Sequence, residues 1–206
     1  MTEIAIKNIC NRLSNEYNIQ LNDKVALDFF AREGSWQTQY YASKVKKIYA
    51  WEVDSKYEQN LRYNLPDTAD ITIGDSFVLA KQRDVSFDLI VLDNPQGCFG
   101  EDNRYCEHFE ALDICLNLLK SPSGILIFNI KTTPFNYTDK IEWQKRRNAF
   151  YSVTDTSHLT KEFIFNFYET FFKTHGYITE FAFLEERPQE SGLYALTVQL
   201  TINEFN

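Results

Sequence analysis

The sequence predicts an α/β protein built on a mainly parallel sheet. Three patterns carry that reading. The stretch from Lys24 to Glu52 reads as strand, tight turn, helix and strand. Its first strand, Val25, Ala26, Leu27, Phe29 and Phe30, is an almost continuous apolar run, as suits a strand covered on both faces. Apolar runs and helical spacings then alternate as far as Ile130, which implies parallel strands joined by helices. The chain ends in two β-patterned runs, Tyr177 to Leu184 and Leu193 to Ile202. The turn between them holds Pro188, Ser191 and Gly192, so they pair as a hairpin.

Each element has its own signal. Ile4, Ile6, Ile9, Cys10 and Leu13 recur at helical spacing and predict a lead-in helix over Glu3 to Glu16 that packs on the sheet edge or lids the site. Gly34 breaks the first strand, and Ser35 is placed to cap the helix that follows. Lys47 to Trp51 form a second strand that delivers Glu52 at its carboxyl end. Asp54 or Ser55 caps a helix through Asn64, closed by Pro66. Ile71 to Ile73 are a third strand ending in Gly74-Asp75-Ser76, followed by a short helix over Phe77 to Gln82. Phe87 to Leu92 are a fourth strand ending in Asp93-Asn94-Pro95-Gln96-Gly97. A helix over Tyr105 to Leu119, a fifth strand over Ile125 to Ile130 and a last helix over Thr160 to Thr174 precede the hairpin.

The 206 residues are read as one domain, with residues 1–22 as lead-in and 131–158 as an insertion after the fifth strand. No run is apolar and long enough to span a bilayer, and no signal sequence is visible, so no membrane contact and a cytoplasmic location are expected. Cys10, Cys98, Cys106 and Cys115 lack paired spacing, as suits reduced thiols. The spacing of Cys98, Cys106 and His108 matches no zinc pattern, and no metal is expected. A net charge of −8 disfavours broad contact with nucleic acid but leaves room for a local basic patch.

With these elements in place, the order of the strand-end motifs resembles a class I S-adenosylmethionine-dependent methyltransferase, across nearly the whole chain from Lys24 onward. Ala26 to Ser35 resembles that family's first motif, an acid at a strand end followed by a glycine turn. Tyr49 to Asp54 resembles the second, with Glu52 as the ribose-binding acid. Gly74-Asp75-Ser76 resembles the third, near adenine, and Asp93-Asn94-Pro95 the fourth, beside the methyl group. The run Glu52, Asp54, Leu61, Asn64 is similar to the branch that includes rRNA guanine-N2 methyltransferases. The resemblance implies a three-layer Rossmann-like sandwich with seven strands, the last antiparallel. It also implies S-adenosylmethionine as cofactor, held by Asp28, Phe30, Arg32, Gly34, Glu52, Val53, Asp75, Ser76 and Asp93. Catalysis would fall to Asp93, Asn94 and Pro95, with His108 a second candidate base.

The sequence departs from that pattern in two places. Only Gly34 remains of a turn that usually holds two or three glycines, and Arg32 stands where the first is common. Arg32 either pairs with the cofactor carboxylate or points to solvent. The fourth motif has no aromatic in register, and Phe99 is the nearest ring. Phe99 and the basic residues Lys145, Arg146 and Arg147 are the candidate substrate contacts, through stacking and phosphate pairing if the substrate is nucleic acid. Methyl transfer to a base amine is one outcome. A protein or small-molecule acceptor and a non-catalytic scaffold of the same fold are the alternatives. A dehydrogenase is disfavoured, since Ala31 to Trp36 is not a GxGxxG.

Overall fold

A computed structural model describes residues 3–35, 37–82, 85–120, 122–188 and 190–203. The chain opens with α1 (Glu3–Asn15), then β1 (Val25–Asp28), α2 (Gln37–Ala42), β2 (Lys47–Glu52), α3 (Glu58–Asn64), β3 (Asp70–Ile73), α4 (Ser76–Gln82) and β4 (Leu89–Leu92). A small pair follows, β5 (Cys98–Phe99) and β6 (Tyr105–Cys106). The chain continues through α5 (Phe109–Leu118), β7 (Ser123–Lys131), α6 (Ile141–Tyr151), α7 (Lys161–Thr174), β8 (Tyr177–Glu186) and β9 (Leu193–Ile202). The main sheet has seven strands in the order β3-β2-β1-β4-β7-β9-β8. The pairs among the first five strands are parallel, and β9 runs antiparallel to both neighbours. This is the expected α/β sandwich with its antiparallel hairpin.

Two apolar clusters make the outer layers adhere. Strand side chains alternate between faces, so β4 sends Leu89 and Val91 to one cluster and Ile90 and Leu92 to the other. The first cluster collects residues of α1, α2 and α3, such as Ile9, Tyr41 and Leu61. The second collects residues of α5, α6 and α7, such as Leu112, Tyr151 and Phe172. The lead-in helix α1 packs against α2 and β8, with Ile6, Ile9, Cys10 and Leu13 buried. Of its predicted apolar positions only Ile4 is exposed.

Capping follows the sequence in most places. Asp54 accepts the Lys56 amide at 3.1 Å and starts the turn before α3. Leu65, which precedes Pro66, is extended and ends α3. Thr160 accepts the Phe163 amide at 3.1 Å to start α7. Ser35 hydrogen-bonds Glu33 at 3.2 Å, and its neighbour Trp36, at the threshold of α2, lies outside the described residues.

Three expectations are corrected. The first strand ends at Asp28, and Phe29 and Phe30 already belong to the turn that follows it. The helix predicted over Tyr105 to Leu119 begins only at Phe109, because Tyr105 and Cys106 pair with Phe99 and Cys98. Gly100, at φ +79°, allows that reversal, and a two-residue strand leaves too short an alternation to read. The fourth strand is shorter than Phe87 to Leu92, with Phe87 making only an isolated bridge to Leu119. The segment 131–158 is tied into the core. Lys131 completes β7, and α6 buries Trp143, Arg147 and Tyr151. Among the described residues no helix is long and apolar enough to cross a membrane.

Candidate active site

The strand order reverses between β1 and β4: β2 and β3 lie to one side, β7 to the other. In open α/β sheets ligands bind outside the carboxyl ends of the strands at such a point. A cleft of about 400 Å³ lies there. It is lined by residues following β1 (Phe30, Arg32), ending or following β2 (Trp51, Glu52, Val53), following β3 (Asp75, Ser76, Phe77) and following β4 (Asp93, Pro95). The β5–β6 hairpin supplies the remaining wall through Phe99, Gly100, Glu101, Arg104 and Tyr105.

Glu52 is almost buried, and backbone amides hold both its oxygens. Arg32 N–H donates to Oε2 and Asp54 N–H to Oε1, each at 2.8 Å. Each carboxylate oxygen keeps a lone pair beyond these bonds. Arg32 takes a left-handed conformation at φ +49°, unusual for a non-glycine residue. Its side chain lies mostly exposed at the cleft mouth, with Nε 3.0 Å from Glu33 and 3.4 Å from the Tyr57 hydroxyl.

Asp75 accepts the Phe77 amide at 2.9 Å and so caps α4 from the cleft wall. Ser76 donates to the Phe29 carbonyl at 2.6 Å, binding α4 to the end of β1. The wall beyond is aromatic. Phe77 and Tyr105 stack with centroids 3.7 Å apart, and Phe30 meets Phe99 edge-on at 5.7 Å.

Asp28 and Gly34 stand behind the cleft and do not line it. Asp28 is buried, accepting hydroxyl bonds from Thr38 at 2.7 Å and Tyr41 at 2.8 Å. Burial raises its carboxyl to about 6, against the lowering effect of those two bonds. Gly34 has φ +69°, and a Cβ there would sit 2.9 Å from Leu61 Cδ2. The glycine lets the turn press onto α3.

The fourth motif divides between surface and core. Asp93 Oδ1 accepts from Arg187 Nη1 and from Asn129 Nδ2, each at 2.6 Å. Among the described residues nothing is bonded to Oδ2. Asn94 is buried, and its side chain pairs with the backbone of Asn129 like an added rung of the β4–β7 ladder, taking the Asn129 amide at 2.9 Å and giving to its carbonyl at 3.3 Å. The Asn94 side chain is therefore spent on the sheet. His108, the second candidate base, is fully buried with Nε2 on the Tyr168 hydroxyl. Burial, with Arg147 nearby, lowers it to about 3, so it stays neutral inside the core.

The predicted basic patch is dismantled. Only Lys145 is exposed. Arg146 donates to the Asn103 carbonyl at 2.6 Å and pairs with Glu110. Arg147 is fully buried, paired with Glu107 and donating to the Lys131 carbonyl at 2.7 Å. Lys145, Arg146 and Arg147 read as a surface patch because all three are charged, yet one position per turn faces the core, where the pairing with Glu107 makes a guanidinium tolerable. Reading the sequence also missed Arg187, Asn129, Tyr105 and Arg104. Arg187 sits at the turn of the terminal hairpin, and only the β7–β9–β8 pairing brings it to Asp93. Among the described residues no cluster of metal-ligating side chains occurs.

No family model and no curated protein matches the sequence. Solved structures do match the fold. The chain is similar to M. jannaschii TYW2 in complex with AdoMet, at 13% identity and TM-score 0.56 over 96% of this chain and 76% of that one. It is similar to the N-methyltransferase NodS from Bradyrhizobium japonicum, at 15% and 0.56 over 98% and 94%. It is also similar to the M. jannaschii tRNA m1G37 methyltransferase, at 15% and 0.51 over 94% and 50%.

Proposed function

We propose that the chain transfers a methyl group from S-adenosylmethionine to an amine nitrogen, with a nucleic-acid base as acceptor. The observation that carries this reading is Asp93: it lines the cleft, one oxygen is held by Arg187 and Asn129, and among the described residues nothing is bonded to the other. A carboxylate fixed in that way accepts hydrogen bonds from an amino group and orients its lone pair.

The residues present fit the cofactor. Glu52, aimed by two amides, suits a ribose diol, and Val53, Phe77 and the side of Asp75 suit an adenine face. Phe30, Ser76 and Asp93 complete the bed, while Asp28 and Gly34 support the turn from behind. When bound, the cofactor supplies an already activated methyl group, so the protein need only position the acceptor and exclude water. The aromatic wall of Phe30, Phe99 and Tyr105 offers stacking surface to a flat base. Two of the three similar proteins named above are identified with tRNA modification or AdoMet, which supports the same direction.

A second reading, a small-molecule amine as acceptor, is favoured by the burial of Arg147, by the engagement of Arg146 with Glu110 and by the net charge of −8. The test is calorimetry with S-adenosylmethionine on the wild type, Glu52→Ala and Asp93→Ala. Micromolar binding that falls at least about tenfold in Glu52→Ala is expected, with Asp93→Ala still binding. Absence of binding to the wild type would remove the methyltransferase reading and leave the scaffold alternative. Incubation with RNA, followed by mass analysis of the released nucleosides, separates the two acceptors.

A further inference from the structure

Cys98 and Cys106 face each other across the β5–β6 pair. Their sulfur atoms lie 3.5 Å apart and are not bridged. The Glu107 amide donates to the Gly97 carbonyl at 2.9 Å, so residues 97 and 107 are a hydrogen-bonded pair. Antiparallel pairing alternates, which makes Cys98 and Cys106 the other kind, with Cα atoms about 4.5 Å apart. The Cys106 amide accordingly turns away from β5, to Glu110 Oε2 at 2.8 Å. That Cα separation falls within the roughly 4.4–6.8 Å that a disulfide spans. Side-chain rotation alone can join the two sulfurs, with no change of register.

We propose that Cys98 and Cys106 are an oxidisable dithiol, a modification site for a low-molecular-weight disulfide such as glutathione disulfide, and that their bridge clamps the hairpin wall of the cleft. Cys98 is half-buried and Cys106 fully buried, so Cys98 reacts first. Its thiol loses a proton and attacks one sulfur of the small disulfide. That S–S bond breaks, and the departing thiolate takes up a proton. Cys106 then loses its proton and attacks the Cys98 sulfur of the mixed disulfide, expelling the second thiolate, which is protonated in turn. Two electrons and two protons pass from the protein to the small disulfide, which ends as two thiols. Burial holds both thiols above their ordinary range, so the exchange is slow and the site is read at equilibrium.

The consequence for the cleft follows from size. β5 and β6 have two residues each, too few to hold a hairpin by themselves. The same hairpin carries Phe99, Gly100, Glu101, Arg104 and Tyr105 of the cleft wall. A clamped wall is preorganised and opens less often, so a ligand beneath it leaves more slowly. This last step rests on the function proposed above; the bridge itself does not.

The full-length protein is equilibrated with glutathione and glutathione disulfide at a series of ratios, alkylated in denaturant and weighed. Alkylatable thiols should fall from four to two, and digestion should yield a linked peptide holding Cys98 and Cys106. Cys98→Ser and Cys106→Ser should each stop short of an internal bridge. S-adenosylhomocysteine should then leave the bridged wild type roughly threefold or more slowly than the reduced one, with no such difference in Cys98→Ser. Four free thiols at every ratio, a stable glutathione adduct on the wild type, or a bridge to Cys10 or Cys115 would overturn the dithiol. An unchanged release rate in bridged protein would overturn the clamp. The mass readout uses no cofactor, so failure of S-adenosylhomocysteine to bind reduced protein would count against the proposed function and leave the dithiol to its own result.

Discussion

Gly34 and Asp28 show how much of the site rests on residues that never touch the cleft. Gly34→Ala places a methyl group 2.9 Å from Leu61 Cδ2 at a φ of +69°, so both contact and backbone oppose it. A loss of about 2–3 kcal/mol is expected from urea denaturation, drawn from the usual costs of overpacking and left-handed strain. Asp28 carries a different signature. Its folded carboxyl is raised to about 6 from 3.8, so the folded state binds more protons than the unfolded state between those values. By linkage, the Asp28 contribution to stability is present below about pH 4 and is lost as pH rises toward 6. Asp28→Asn should gain on the wild type as pH rises from 4 to 6 and level off above that. A difference between the two denaturation midpoints that stays flat across this window would show that Asp28 does not titrate as a buried acid.

The elements differ in how far their own residues announce them. β1, β2, α3, α7 and the terminal hairpin follow directly from apolar runs, caps and turn residues, because each is a local pattern. The β5–β6 pair and α6 do not. A two-residue strand has no periodicity, and the place of α6 depends on long-range partners, among them Glu107 for Arg147 and Trp143 and Glu110 for Arg146. Burial raises the Glu107 carboxyl while Arg147 and Trp143 lower it, so the acid depends on those partners for its charge. Arg147→Met is therefore expected to cost about 3–5 kcal/mol by leaving Glu107 unpaired in the core. Adding Glu107→Gln should recover part of that loss. If the double variant in urea is no more stable than Arg147→Met alone, the cost lies in packing against Tyr137 and Tyr151 and not in stranded charge.

At the scale of the whole molecule, the order of strands decides what the residues mean. The strand-end acids Glu52, Asp75 and Asp93 were legible because each closes an apolar run, and a parallel sheet gathers such ends on one side. Arg187 was not, since 94 residues separate it from Asp93 and only the folded-back hairpin joins them. The same strands bury side chains into both apolar clusters, so neither outer layer has a core of its own. Unfolding should then be a single event, with far-ultraviolet and near-ultraviolet ellipticity changing together in urea. Separate midpoints would show that the terminal hairpin or the α6 segment folds apart from the rest.

Trp51 adds one consequence. Its indole is buried at the end of β2, edge-on to Phe87 at 6.1 Å, and it also forms part of the cleft wall. Trp143 is buried elsewhere, against Glu107 and Tyr137. The molecule thus carries its own optical reporter. The chain holds three tryptophans, Trp36, Trp51 and Trp143, and occupation of the cleft changes the surroundings of the Trp51 indole. A ligand-dependent change in intrinsic emission that Trp51→Phe removes then follows titrations without any label.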